Sequence, residues 1–184
     1  MSIARLLRQA FTFLLCSIFC VLPSMSAAQA TPSTLAIKAA LLFKLPRFVY
    51  LAHQEGSTTL TLCILGSNPF GQALQSLTQT PIDNRTIQLR TPRSTEDTQE
   101  CDLLFLPDSA NTRKALPMHL QALADHPILT VSDIPGFARA GGMVELADHP
   151  DGQGKVEIVI NQAAAANQGI SFNAQLLRLA TLLP

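Results

Sequence analysis

The chain has 184 residues, with 13 basic and 13 acidic side chains, no formal net charge, and 14% charged residues against 47% hydrophobic ones. The charges are scattered, so no basic patch argues for nucleic acid as a partner. The length supports one domain with a substantial core.

Residues 1–30 read as a segment apart. Arg5 and Arg8 make a short basic start, Ala10 to Leu22 is an apolar run, and Pro23 leads into the small-residue series Ser24 to Ala30. That is the layout of a cleaved secretory signal peptide. The apolar run falls short of the roughly 20 residues needed to span a bilayer. Cleavage is expected after Ala28 or Ala30. Leu15 and Phe19 precede Cys16 and Cys20, so a lipoprotein-type cleavage, which needs a small residue there, is not expected.

The remaining domain, 31–184, loses Arg5 and Arg8 and so carries a formal charge of −2. It keeps two cysteines, Cys63 and Cys101. In an exported chain an even pair suggests a disulfide; two buried free thiols are the alternative. The bond would close a loop of about 39 residues, worth about 4 kcal/mol in the chain-entropy model. The four histidines, His53, His119, His126 and His149, show no metal-ligand spacing. No metal and no cofactor is expected.

In chain order, Ser33 or Thr34 can cap a helix whose apolar residues Leu35, Ala39, Leu42 and Val49 recur at near-helical spacing, with Ile37, Leu41, Leu45 and Phe48 beside them. Pro46 should end or kink it near Leu42–Leu45. The tail Phe48-Val49-Tyr50-Leu51 is then expected to project from the helix end. Thr59 to Leu65 is a strand, followed by the turn Gly66 to Gly71 and a short helix through Leu77. Thr86 to Arg90 alternates as a half-buried edge strand does. Thr91 to Glu100 reads as a solvated loop. Leu103 to Leu106 is wholly apolar, as a central strand would be.

Asn111 to Ala124 is a predicted helix with Leu116, Leu120 and Leu123 on one face and Pro117 near its first turns. Three strands follow, Ile128–Val131, Met143–Ala147 and Val156–Ile160, the last two as a hairpin. Between the first two, Pro135 to Ala140 makes at most one helical turn and Gly141-Gly142 lets the chain reverse. Asn161 can cap a helix over Gln162–Gln168, with Gly169 at its end. Ser171 is read as the cap of a final helix with Phe172, Leu176, Leu179, Ala180 and Leu183 along one face. Alternating strands and helices predict an α/β fold: a single-domain three-layer sandwich with a mixed, largely parallel central sheet flanked by helices.

Catalytic readings find little support. The glycine turn at Gly66–Gly71 lacks both phosphate-loop signatures and reads as an ordinary strand-to-helix turn. There is no G-x-S-x-G elbow; Ser132-Asp133 with His126 is the nearest approach to a hydrolase group. Cys63 has no C-x-x-C partner for thioredoxin-like chemistry. Asp102, Asp108 and Asp133 stand near strand ends, where aspartate more often caps or turns the chain. Met118 and Met143 read as core residues. The chain is therefore not expected to be an enzyme.

The segments KAALLFKLPRFV, LTLCILGSNPFG, CDLLFLP, ILTVSDIPGFARAGGMVEL, KVEIVIN and ISFNAQLLRLA together resemble the YfiR/HmsC-like family of periplasmic regulators (DUF4154), in family order over most of residues 36–180. The resemblance implies an exported, non-enzymatic repressor. It would bind the periplasmic sensor domain of an inner-membrane diguanylate cyclase, hold it inactive, and so lower cyclic di-GMP and biofilm formation. An OmpA-like outer-membrane lipoprotein would release it, and a homodimer is a further candidate assembly. Cys63 and Cys101 match the family's disulfide pair, which implies redox control. Leu51-Ala52 stands where family members commonly carry an aromatic-Pro element, and the second cysteine pair of some members is absent after Gly142.

The candidate partner or ligand surface comprises Phe48, Tyr50, Leu51, Phe70, Phe137, Arg139 and Met143. Gly66, Gly71, Gly136, Gly141 and Gly142 form its backbone framework. Phe137 has a second reading as a core side chain, the commoner lot of phenylalanine. The alternative function is a periplasmic small-molecule sensor module, with a ligand near Gly66–Phe70 and Ile134–Gly142.

Overall fold

The computed structural model describes residues 33–183 apart from 52, 53, 55, 151 and 153. The expected signal peptide lies outside the described residues. The Ser33 hydroxyl accepts from Ala36 N (3.2 Å) and starts helix α1, Thr34–Lys44. Pro46 does end it, as the second residue of a single 3-10 turn, Leu45–Phe48. α1 buries Ala39, Leu42 and Phe43. Fully burying a leucine such as Leu42 contributes about 1.5–3 kcal/mol.

The next element corrects the expectation of a projecting tail. Val49–Leu51 is strand β1, paired antiparallel with a strand near the other end of the chain. Strands β2 (Thr59–Ile64), β3 (Thr86–Arg90) and β4 (Leu103–Leu106) follow, with helix α2 (Gln72–Thr78) between β2 and β3. The loop between β3 and β4 is not solvated throughout: Thr98 is buried, and its hydroxyl donates to Thr95 O (2.6 Å). Helix α3 (Ala110–Ala122) leads to β5 (Leu129–Ser132), β6 (Val144–Asp148) and β7 (Val156–Asn161). Ser109, not a residue inside the predicted span, caps α3 by accepting from Thr112 N.

Helix α4 (Gln162–Ala166) begins where Asn161 Oδ1 accepts from Ala164 N (2.9 Å). It ends at Ala166, short of the expected Gln168, and Gly169, with a φ of +69° that suits a residue without a Cβ, closes the turn that follows. The predicted final helix is three elements instead: strand β8 (Ile170–Phe172), helix α5 (Ala174–Leu179) and strand β9 (Thr181–Leu183). Asn173, not Ser171, is the cap; its Oδ1 accepts from Leu176 N (2.9 Å). Tertiary pairing overrides the helical spacing, because β8 pairs with β1 (Val49↔Phe172, Leu51↔Ile170) and Asn173 N donates to Phe48 O.

The main sheet has the order β3-β2-β4-β5-β6-β7-β9. Every neighbouring pair is parallel except the β6–β7 hairpin. The alternation of side chains splits the core in two. Leu60, Leu62 and Ile64 of β2 with Leu103 and Phe105 of β4 join Leu42 of α1 and Leu74 of α2 on one face. Cys63, Leu104 and Leu106 join Leu116 and Leu123 of α3 on the other. The chain is thus a three-layer α/β sandwich, and residues 32–184 form one compact unit. β3 is an edge strand, as its alternation implies. Among the described residues no helix is long and apolar enough to cross a membrane.

Candidate functional site

The connection from β5 to β6 is a crossover whose helix is reduced to the turn Pro135–Gly141. Polar groups from the sheet hold it. Glu145 of β6 is buried, and its two carboxylate oxygens accept from Gly136 N (2.9 Å) and Ala138 N (3.1 Å). Asn161 Nδ2 donates to Ala138 O (2.9 Å), and Met143 N donates to Thr130 Oγ1 (3.2 Å). Gly136 and Gly141 have φ of +81° and +108°, where only glycine is unstrained. Gly142 is needed for another reason: a Cβ there would overlap the fully buried Phe137 ring. This stretch is a tightly satisfied structural device.

Ser132 is fully buried; its Oγ donates to Leu106 O (2.6 Å) and accepts from Ile134 N (3.0 Å). It presents no nucleophile to a substrate. Asp102 accepts from Thr61 N (2.7 Å), and Asp133 accepts from Asp108 N (2.8 Å). Lys38, buried on α1, pairs with Asp133 (3.3 Å) and Asp148 (2.8 Å) beyond the carboxyl ends of β5 and β6. The Cys63–Cys101 disulfide is present, with a Cα separation of 5.8 Å. It lies under α3, with Cys63 fully buried and Cys101 nearly so. Among the described residues no group of three or more His, Cys, Asp or Glu could hold a metal ion.

A family model described as DUF4154, YfiR/HmsC-like, matches residues 35–181. The chain belongs to the YfiR/HmsC-like family. No curated protein matches it. Among solved structures it is similar to a conserved domain protein from Vibrio cholerae, at 12% identity and a TM-score of 0.55, over 82% of this chain and 60% of that one. The ABC domain in complex with L-Trp from Streptococcus pneumonia gives 12% identity and a TM-score of 0.56, over 82% and 61%. Identities this low speak to the fold alone, and the chain spans about three fifths of the length of these structures.

In this YfiR/HmsC-like chain the seven candidate surface residues divide. Leu51, Phe70, Phe137 and Met143 are interior side chains, with Phe70 packed on Phe105 at a ring-centroid distance of 4.9 Å. Tyr50 is 63% exposed, Arg139 is exposed and Phe48 is half-buried. Phe48 lines an apolar groove of about 230 Å³ with Leu41, Leu45, Leu146, Ile158 and the 75%-exposed Leu179. Tyr50 lines a separate crevice of about 400 Å³, beside the Arg47–Asp83 ion pair (3.2 Å) and Arg85, whose Nη2 donates to Pro46 O. Arg139 borders neither. Gly66 and Gly71 take φ of +74° and +53° in the turn that leads into α2.

Sequence reasoning misses Lys38, Glu145 and His119. The first two carry a readable signal, a single charge inside an apolar run (AIKAALL and MVELA). His119 does not, because a histidine on a polar helix is unremarkable. In the fold its Nδ1 is buried without a hydrogen-bond partner, and burial lowers its pKa below the ordinary 6.5. Below pH 6.5 the unfolded chain therefore binds more protons than the folded chain, so stability is full above that pH and falls on acidification through the folded value. His119→Gln is expected to flatten this slope in urea melts taken across pH 5–7. An unchanged slope would remove His119 as its source.

Proposed function

We propose that the chain is exported, loses residues 1–30, and acts in the periplasm as a regulator without catalytic activity. It represses an inner-membrane diguanylate cyclase by binding the cyclase's periplasmic domain, and so lowers cyclic di-GMP and biofilm formation. The observation that carries this reading is the family match over residues 35–181. The groove of Phe48 and Leu179 and, in a separate crevice, the exposed Tyr50 offer apolar surface that a protein partner could cover. An OmpA-like outer-membrane lipoprotein would relieve repression, and a second copy of the chain is a further candidate partner. The Cys63–Cys101 bond would add redox control. Because both sulfurs are buried, a reductant would act on the chain when it opens, not on the folded surface.

Deleting the gene is expected to raise cyclic di-GMP and surface attachment, and expression from a plasmid should restore both. Unchanged levels in a strain that makes the protein would overturn the reading. Tyr50→Ala with Leu179→Ser should weaken co-purification with the cyclase while leaving the melting temperature near that of the parent.

A further inference from the structure

The helices on either side of the β2–β4 pair leave the sheet in opposite directions. α2 carries β2 to β3 over the face that holds Leu74, and α3 carries β4 to β5 over the face that holds Leu116. Right-handed crossovers demand this, since β3 and β5 lie on opposite sides of the pair. Where connections diverge, nothing covers the carboxyl ends of the two strands, and ligands of open α/β sheets sit in such crevices.

Here the crevice has a volume of about 630 Å³, within the range of small-molecule sites, roughly 300–1,000 Å³. Leu65, Pro107 and Ala115 give it an apolar wall. Ser67, Arg93, Asn111, Thr112 and His119 give it polar groups. The electrostatics favour one negative charge. Arg93 has no carboxylate partner among the described residues. The Asp108 carboxylate on the rim is taken by Arg113, which donates to it from both Nε and Nη2. His119 Nδ1 is left without a partner in the same wall.

We propose that the crevice between the carboxyl ends of β2 and β4 binds a small organic carboxylate, with Arg93 holding the carboxylate and the Leu65–Pro107–Ala115 wall its apolar body. A guanidinium matches a carboxylate with two parallel hydrogen bonds. A phosphate dianion fits less well, because it meets one unpaired cation and the Asp108 carboxylate together. The inference does not rest on the cyclase reading: a chain that binds no cyclase can still hold a carboxylate here, and the reverse.

The test is an amide and imidazole NMR titration of the purified chain with acetate, succinate and benzoate, and with benzamide and inorganic phosphate as controls. At least one carboxylate should shift Ser67, Arg93, Thr112 and His119 saturably, and the controls should not. Arg93→Ala, an exposed position, should weaken binding about tenfold with an unchanged melting temperature. Ala115→Phe should block the crevice. No saturable response to any of the three carboxylates would overturn the proposal. So would an equal response to benzamide or phosphate, or undiminished affinity in Arg93→Ala.

Discussion

Gly142→Ala is expected to destabilise the fold by about 3 kcal/mol, at the upper end of what overpacking a core costs. The added methyl would occupy the volume of the Phe137 ring, which is fully buried on the α3 side of the sheet. The ring cannot yield easily. Gly142 N donates to Phe137 O (3.0 Å), and the turn is tied to the sheet through Glu145 and Asn161. Phe137→Ala alone should cost about 3–5 kcal/mol through the cavity it leaves. The two changes share one volume, so they should not add. The double variant should be no less stable than Phe137→Ala alone in urea melts. Full additivity would show that the Gly142 requirement arises elsewhere.

Loss of the Cys63–Cys101 crosslink should cost about 4 kcal/mol. The bond joins the end of β2 to the entry of β4, strands already neighbours in register (Cys63↔Leu104). Its contribution therefore comes from restricting the unfolded chain and not from a new native contact. Cys63→Ala with Cys101→Ala avoids placing a hydroxyl in the buried site. Urea melts of that variant, of the parent, and of the parent with reductant separate the terms: the reduced parent keeps both sulfurs and loses only the link. If the reduced parent is as stable as the oxidised one, the crosslink does not stabilise the fold. A shift of this size is a large part of the ~5–15 kcal/mol typical of a domain, so the oxidised form would persist where the reduced one unfolds.

The sheet is largely legible in the sequence because its strands are short apolar runs bounded by turn residues. LLFL between Asp102 and Pro107 has no reading but a strand buried on both faces, and it is one. The hairpin of β6 and β7 follows from two such runs around Pro150-Asp151-Gly152. The last fifteen residues are not legible in this way. Phe172, Leu176 and Leu179 fall at helical spacing, yet Phe172 belongs to a strand and Leu179 is exposed. Only the pairing with Val49–Leu51, remote in sequence, decides for β8. The candidate surface is legible in part for a related reason. Periodicity marks Phe70, Phe137 and Met143 as apolar but does not say which side of the chain faces water; that follows from packing, of Phe70 on Phe105, of Phe137 against Gly142 and of Met143 within the sheet core.

The small sheet of β1 and β8 joins segments from near opposite ends of the domain. Such a closure is slow to form, because the whole intervening chain must be gathered before any hydrogen bond rewards it. During synthesis, β1 would leave the ribosome early and wait for a partner strand that emerges almost last. A chain cut short before Ile170 would leave Val49–Leu51 as an unpaired edge, prone to aggregate. The two ends thus act as a clasp that reports on completeness: the domain closes only when nearly all of it has been made.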